Sequence, residues 1–152
     1  MRPDERDEVR ALLTDAYEPY ATAMPPDVYV NYLAGVLNTD EGRQLVAVDG
    51  DKILGAVRLY LPGDATVDLP EDCAWVRSLG VRPSARGTGV GEAIMDYCAT
   101  HAGDAAALIL HTMDFMPAAV RLYERLGYQR APELDFTVAF TAVAYRLPLT
   151  PP

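Results

Sequence analysis

Residues 86 to 91 read Arg-Gly-Thr-Gly-Val-Gly, between an extended run that ends Leu79-Gly80-Val81 and an amphipathic stretch with helical spacing. A loop that enters a helix this way carries unpaired backbone N–H groups and the positive end of the helix dipole, a combination suited to phosphate. Gly87, Gly89 and Gly91 remove the side chains that would hold a diphosphate off that backbone, and Arg86 adds a charge-assisted donor at the rim. Two common phosphate loops do not fit. A Walker loop needs Gly-Lys, and no such pair occurs in the chain; a dinucleotide G-x-G-x-x-G from Gly87 meets Glu92 where glycine is required.

The pattern that fits is R-x-x-G-x-G, spanning Arg86, Gly87, Thr88, Gly89, Val90 and Gly91. It resembles the acetyl-CoA pyrophosphate loop of the GNAT superfamily of N-acetyltransferases. A second stretch, AAVRLYERLGY at 118–128, is similar to another signature of that superfamily and follows in the right order after a helix and a strand. Two motifs in sequence are more specific than either alone. The resemblance runs from about residue 4 to the end. It implies acetyl-CoA as cofactor, with the pyrophosphate on the backbone of 86–91 and the pantetheine and thioester carbonyl on backbone groups of Leu79, Gly80 and Val81. Glycine inside a strand agrees with close backbone approach.

Acetyl transfer from a thioester to an amine needs an oxyanion donor, a proton for the leaving sulfur and a way to deprotonate the amine. Tyr123 matches the family tyrosine that protonates the thiolate, and a phenol suits that task by its pKa. The base is not legible. Many relatives carry a glutamate near Arg77; an arginine cannot accept the proton, but could bind an acidic group on the acceptor. His111 lies on a strand, where a lone histidine is more often structural, and Glu71, Asp72 and Asp114 are other candidates. Met116 stands where the family often has a cofactor-contacting asparagine, and methionine cannot cap the following helix. The acceptor pocket implied by the resemblance falls near the first two helices, which brings in Tyr17 and Tyr32, with Tyr20 and Tyr29 beside them. Glu133 and Asp135 could draw a cationic amine.

The elements that must position these residues follow from periodicity. Val9, Leu12, Leu13, Ala16, Tyr17 and Tyr20 recur at helical spacing, and so do Tyr29, Tyr32, Leu33, Val36 and Leu37. QLVAV, a DGD turn and KILGAVRLYL predict a hairpin. Residues 73–81 alternate as a strand, with Trp75, Arg77, Leu79 and Val81 on one face and Ala74, Val76, Ser78 and Gly80 on the other. Val90, Ala93, Ile94, Tyr97, Cys98 and His101 predict a helix stripe. AALILHT then reads as a buried strand, Pro117 to Leu126 as a helix stopped by Gly127, and the tail as one or two strands. This order implies an α/β (α+β) fold with a mixed central sheet flanked by helices, its first strand short or absent.

With 152 residues, half of them hydrophobic, the chain is expected to form a single domain over 1–152. The net charge of −9 speaks against nucleic acid or an anionic membrane and favours a cationic acceptor. With neither a membrane span nor a signal core, the expected location is cytoplasmic. Cys73 and Cys98 have no metal-type spacing and read as reduced core thiols. The expected activity is acetyl transfer from acetyl-CoA to a small-molecule or peptide amine by direct attack, with no metal and with a homodimer suggested by the family. The alternative is a non-catalytic acyl-CoA-binding module of the same fold.

Overall fold

A computed structural model describes residues 5–37, 40–113, 116–137 and 140–149. Helix α1 (Arg6–Tyr17) buries Val9, Leu12, Leu13, Ala16 and Tyr17, the stripe that the 3.6-residue period requires. A 3₁₀ segment (Glu18–Ala23) leads into α2 (Pro26–Leu37), whose proline opens the helix and whose Val36 is its buried residue. Strands β1 (Arg43–Asp49) and β2 (Lys52–Tyr60) form the hairpin, turning through Gly50 at a φ of 60°. Strand β3 (Cys73–Val81), helix α3 (Val90–Thr100) and strand β4 (Ala107–Met113) make a parallel crossover unit. Helix α4 (Pro117–Arg125) follows, then the short strands β5 (Gln129–Arg130) and β6 (Phe136–Thr137) and the long β7 (Thr141–Pro148).

The sheet runs β1-β2-β3-β4-β7-β5, with β6 also on β7, and α1 is the first element among the described residues. The β3–β4 register runs from Cys73↔Ala107 to Val76↔Leu110 and stops there, although both strands continue. β4 pairs antiparallel with β7 along its whole length on its other edge. Over 107–110 β4 is paired on both edges and buried, and the residues there are apolar: Leu108 and Ile109 are fully buried and Leu110 nearly so.

The chain divides into two compact units. The first, 1–58 with 78–95, holds α1, α2 and the glycine loop. Its core comes from α1, Val36, Ile53, Ala56, Val57, Ile94 and Met95. The second, 59–77 with 96–152, centres on Tyr60, Cys73, Trp75, Ala107 and Ile109, over which Ala65, Val67, Leu69 and Leu134 pack.

Two sequence expectations change. On α3 the inward face is Ile94, Met95 and Cys98, whereas Ala93, Tyr97 and His101 face solvent. Tyr97 is half exposed and stacks on His101 at 3.8 Å, so the pair satisfies its aromatic surface locally instead of in the core. On β3 the two-face alternation is interrupted at Ser78, which has a φ of 62°. A non-glycine residue in the left-handed region breaks the period of two, as a bulge does. No helix among the described residues is long and apolar enough to cross a membrane.

Candidate functional site

In the first unit, a 3₁₀ turn over Pro83–Ala85 roots the glycine loop. Ala85 N–H donates to Arg82 O at 2.8 Å and Arg86 N–H to Pro83 O at 3.3 Å. Arg82 is tied down in turn: its N–H reaches Leu54 O at 2.7 Å, its Nε reaches Ile53 O at 2.8 Å, and its guanidinium pairs with Glu8 at 3.2 Å. The same Glu8 oxygen accepts from Ile53 N–H at 3.1 Å, so one carboxylate joins α1, β2 and the end of β3. The Glu8–Arg82 clamp is not apparent from sequence, because its partners are 74 residues apart.

Beyond the turn, Thr88 Oγ1 donates to Ala85 O, and Gly87 and Gly89 take φ values of 76° and 87°. An added Cβ at either glycine would meet nothing within 4 Å, so the left-handed backbone and not crowding requires glycine there. The first helical bond of α3 is Ala93 N–H to Gly89 O at 3.0 Å. A helix that begins this way leaves the N–H groups of its first turn, from Val90 on, without an intrahelical partner. The loop therefore presents a run of donors at a helix start, which is the chemistry of an anion site. Arg86 is exposed and reaches Ala16 O at the C-terminal end of α1, at 3.4 Å.

The same unit brings Tyr17, Tyr32, Leu79, Gly80 and Arg86 together around that end of α1. Tyr17 is buried, donates its hydroxyl to Leu79 O at 3.3 Å and meets the Tyr32 ring edge-on at 5.8 Å. Gly80 packs under α1 so closely that a Cβ would lie 2.8 Å from Leu13 Cδ2 and 3.2 Å from Ala16 Cβ. Its glycine is explained by helix packing.

Tyr123, Met116 and Arg77 belong to the second unit. Tyr123 is the buried residue of α4, with its ring 5.8 Å from that of Tyr128; burial raises the Tyr128 phenol well above its ordinary pKa. Met116 occupies the N-cap of α4 without a side-chain cap, as its chemistry dictates. It is buried, and its sulfur accepts from Thr112 Oγ1 at 3.7 Å. Asp114 lies outside the described residues. Arg77 is half-buried, its guanidinium 6.0 Å from the centre of the Trp75 ring.

His111 has both ring nitrogens engaged: Trp75 Nε1–H donates to Nδ1 at 3.1 Å, and Nε2 bonds Leu134 O at 2.9 Å. Burial lowers its pKa, against smaller opposing effects from Leu134 O and Asp135. These contacts fit the structural reading of this histidine. Glu133 and Asp135 are both ion-paired. Arg146 pairs with Glu133, and Arg130 binds Asp135 at 2.8 Å while Ala144 N–H donates to it at 2.7 Å. The hydrogen bond from Arg130 holds the Asp135 carboxyl below its usual range. Both cysteines are free and buried, and burial alone pushes the Cys98 thiol up to about 12.

A family model described as Acetyltransferase (GNAT) family matches residues 6–128, which include the glycine loop, α4 and Tyr123. The chain belongs to the GNAT acetyltransferase family. A mycothiol acetyltransferase of Geodermatophilus obscurus is 36% identical over 89 residues. That stretch is 56% of this chain, and the match spans only 28% of the relative's length. Among solved structures, an acetyltransferase of Thermus thermophilus superposes with a TM-score of 0.72 at 15% identity, covering 98% of this chain and 94% of its own. The structure of histone acetyltransferase HPA2 and related acetyltransferase from Corynebacterium glutamicum gives 0.71 at 20%, covering 100% and 95%. At these identities the likeness establishes the fold.

Proposed function

We propose that this GNAT protein transfers the acetyl group of acetyl-CoA to an amine by direct attack, and that the two units together make one N-acetyltransferase domain. The observation that carries the reading is the run of N–H groups from Gly87 to Gly91 at the start of α3, with two glycines in the left-handed region. When bound, acetyl-CoA supplies the thioester carbonyl that an amine attacks. The N–H groups of Gly87, Thr88, Gly89, Val90 and Gly91, with Arg86 beside them, hold the pyrophosphate. Backbone groups of Leu79, Gly80 and Val81 hold the pantetheine arm, a role supported by the end of the β3–β4 register at Val76. Met116 flanks the arm at the start of α4, and Tyr123 gives its phenolic proton to the departing sulfur. Arg77, Tyr17 and Tyr32 contact the acceptor, Arg77 binding an acidic group on it.

The test is thermal unfolding with and without acetyl-CoA. At about 100 times its dissociation constant a ligand adds about 2.7 kcal/mol to the folded state, a shift of several degrees for a chain of this size. Gly89→Glu should abolish that increment. The variant also melts lower without ligand, because a side chain at a φ of 87° is strained by about 1–2 kcal/mol. The ligand-dependent increment is therefore the readout, and an increment retained in Gly89→Glu would remove the pyrophosphate from this loop. Release of free CoA on adding amine separates the enzyme from a binding module. A thiol reagent can report it with little background, since Cys73 and Cys98 are both buried.

A further inference from the structure

Trp75, Arg77 and His111 form one connected group in the second unit. Trp75 and Arg77 are two apart on β3, before the left-handed Ser78, and so share a face. The guanidinium of Arg77 stands 6.0 Å from the indole centre, at the limit of a cation–π contact. The indole is held on two further sides. Tyr60 of β2 packs against it at 4.9 Å between ring centres, and its N–H is bonded to His111 Nδ1. An indole N–H only donates, so Nδ1 must be the acceptor. The proton of the neutral ring is then on Nε2, where it is donated to Leu134 O. Phe136 closes the other side of the imidazole at 4.8 Å.

We propose that His111 is a positioning residue: as the Nε2–H tautomer, bonded to both Trp75 and Leu134, it fixes the indole face that orients Arg77 toward the acceptor. This rests on the reading of Arg77 as an acceptor contact. The hydrogen bonds give the arrangement a direction with pH. Protonating Nδ1 sets two donors against each other at 3.1 Å, so the Trp75 bond is lost and the indole is released from its anchor.

The charged groups around the ring do not hold it protonated. Asp135, on the segment from Leu134 to Phe136, is already bonded to Arg130 of β5; Glu133 is paired with Arg146 of β7; Arg77 of β3 is cationic. Leu110 and Thr112 on β4 and Ala144, opposite on β7, carry no charge. Because burial lowers the folded-state pKa, the unfolded chain binds the proton first. The stability carried by neutral His111 is complete above about 6.5 and is lost as pH falls from there to the folded value.

The chain has a single tryptophan, so its indole reports the arrangement without assignment. In the 152-residue chain at pH 8, nitrogen NMR should show His111 protonated on Nε2 only. On lowering the pH, the Trp75 Nε1–H and Arg77 Nε–H resonances should shift together with a midpoint below 6.5. His111→Gln can accept at Oε1 and donate from its amide, and should remove the titration while keeping both resonances near their pH 8 positions. His111→Leu should displace both at every pH. With acetyl-CoA saturating, KM for β-alanine should rise about two- to fivefold in His111→Leu, the worth of an exposed cation–π contact, with kcat nearly unchanged. KM for β-alaninamide, which lacks the carboxylate, should not move. Resonances that ignore the state of His111 would overturn the positioning role. Coupled resonances, with β-alanine and its amide affected alike or with neither accepted, would instead overturn the acceptor reading of Arg77.

Discussion

Gly80 shows how one atom can decide between two effects of opposite sign. Alanine in a strand is normally better than glycine by about 0.5–1 kcal/mol, because glycine loses more backbone freedom on folding. Here the new Cβ would press on Leu13 Cδ2 and on Ala16 Cβ, and Leu13 is 2% exposed, with little room to turn away. Overpacking of this kind costs about 1–3 kcal/mol. Gly80→Ala should therefore melt lower, by about 1–2 kcal/mol in a denaturant titration. A double-mutant cycle identifies the cause: Leu13→Ala should cost less in the Gly80→Ala background than alone, because the truncated side chain frees the space that the new methyl needs. Additive losses would place the strain elsewhere.

At the level of elements, α4 tests whether an asparagine cap would improve this chain. Met116→Asn would supply the missing N-cap bond, worth about 1 kcal/mol. It would also forfeit burial of a methionine side chain, worth about 1.5–3 kcal/mol, and place an amide where Met116 is 6% exposed. Burial outweighs the cap, so the variant should have the lower melting temperature; a higher one would mean that the start of α4 is open to water.

The same helix shows which features are legible in sequence. Its proline start, its glycine stop and the inward Tyr123 are local consequences of residue type, and so are the hairpin turn and the glycine loop. The inward face of α3 is not legible in the same way, because Tyr97 and His101 fit a helical stripe equally well when they stack on each other. The interruption of β3 at Ser78 has no mark in the residue type. The role of His111 was out of reach because its two partners, Trp75 and Leu134, lie 36 and 23 residues away. Local chemistry is written along the chain, whereas pairing across the sheet is set only when the sheet forms.

For the whole molecule the relevant quantity is charge. With 22 acidic residues against 13 basic ones, the chain carries −9 and attracts cations over distances set by salt. The screening length is about 30 Å at 0.01 M and about 10 Å at 0.1 M, so most of that long-range field is lost between the two. An amine that enters as a cation should therefore show kcat/KM falling severalfold as salt rises through this range, more steeply for a diamine than for a monoamine. Acetyl-CoA is an anion, and if the donors at 86–91 hold it as proposed it should respond in the opposite sense or hardly at all, because the net charge repels it while the loop attracts it. Measuring kcat/KM for each substrate at saturating concentration of the other separates the two terms. A common salt dependence for amine and acetyl-CoA would mean that local groups, and not the net charge, govern encounter with the acceptor. Opposite slopes would make the acidic composition part of how this enzyme selects an amine.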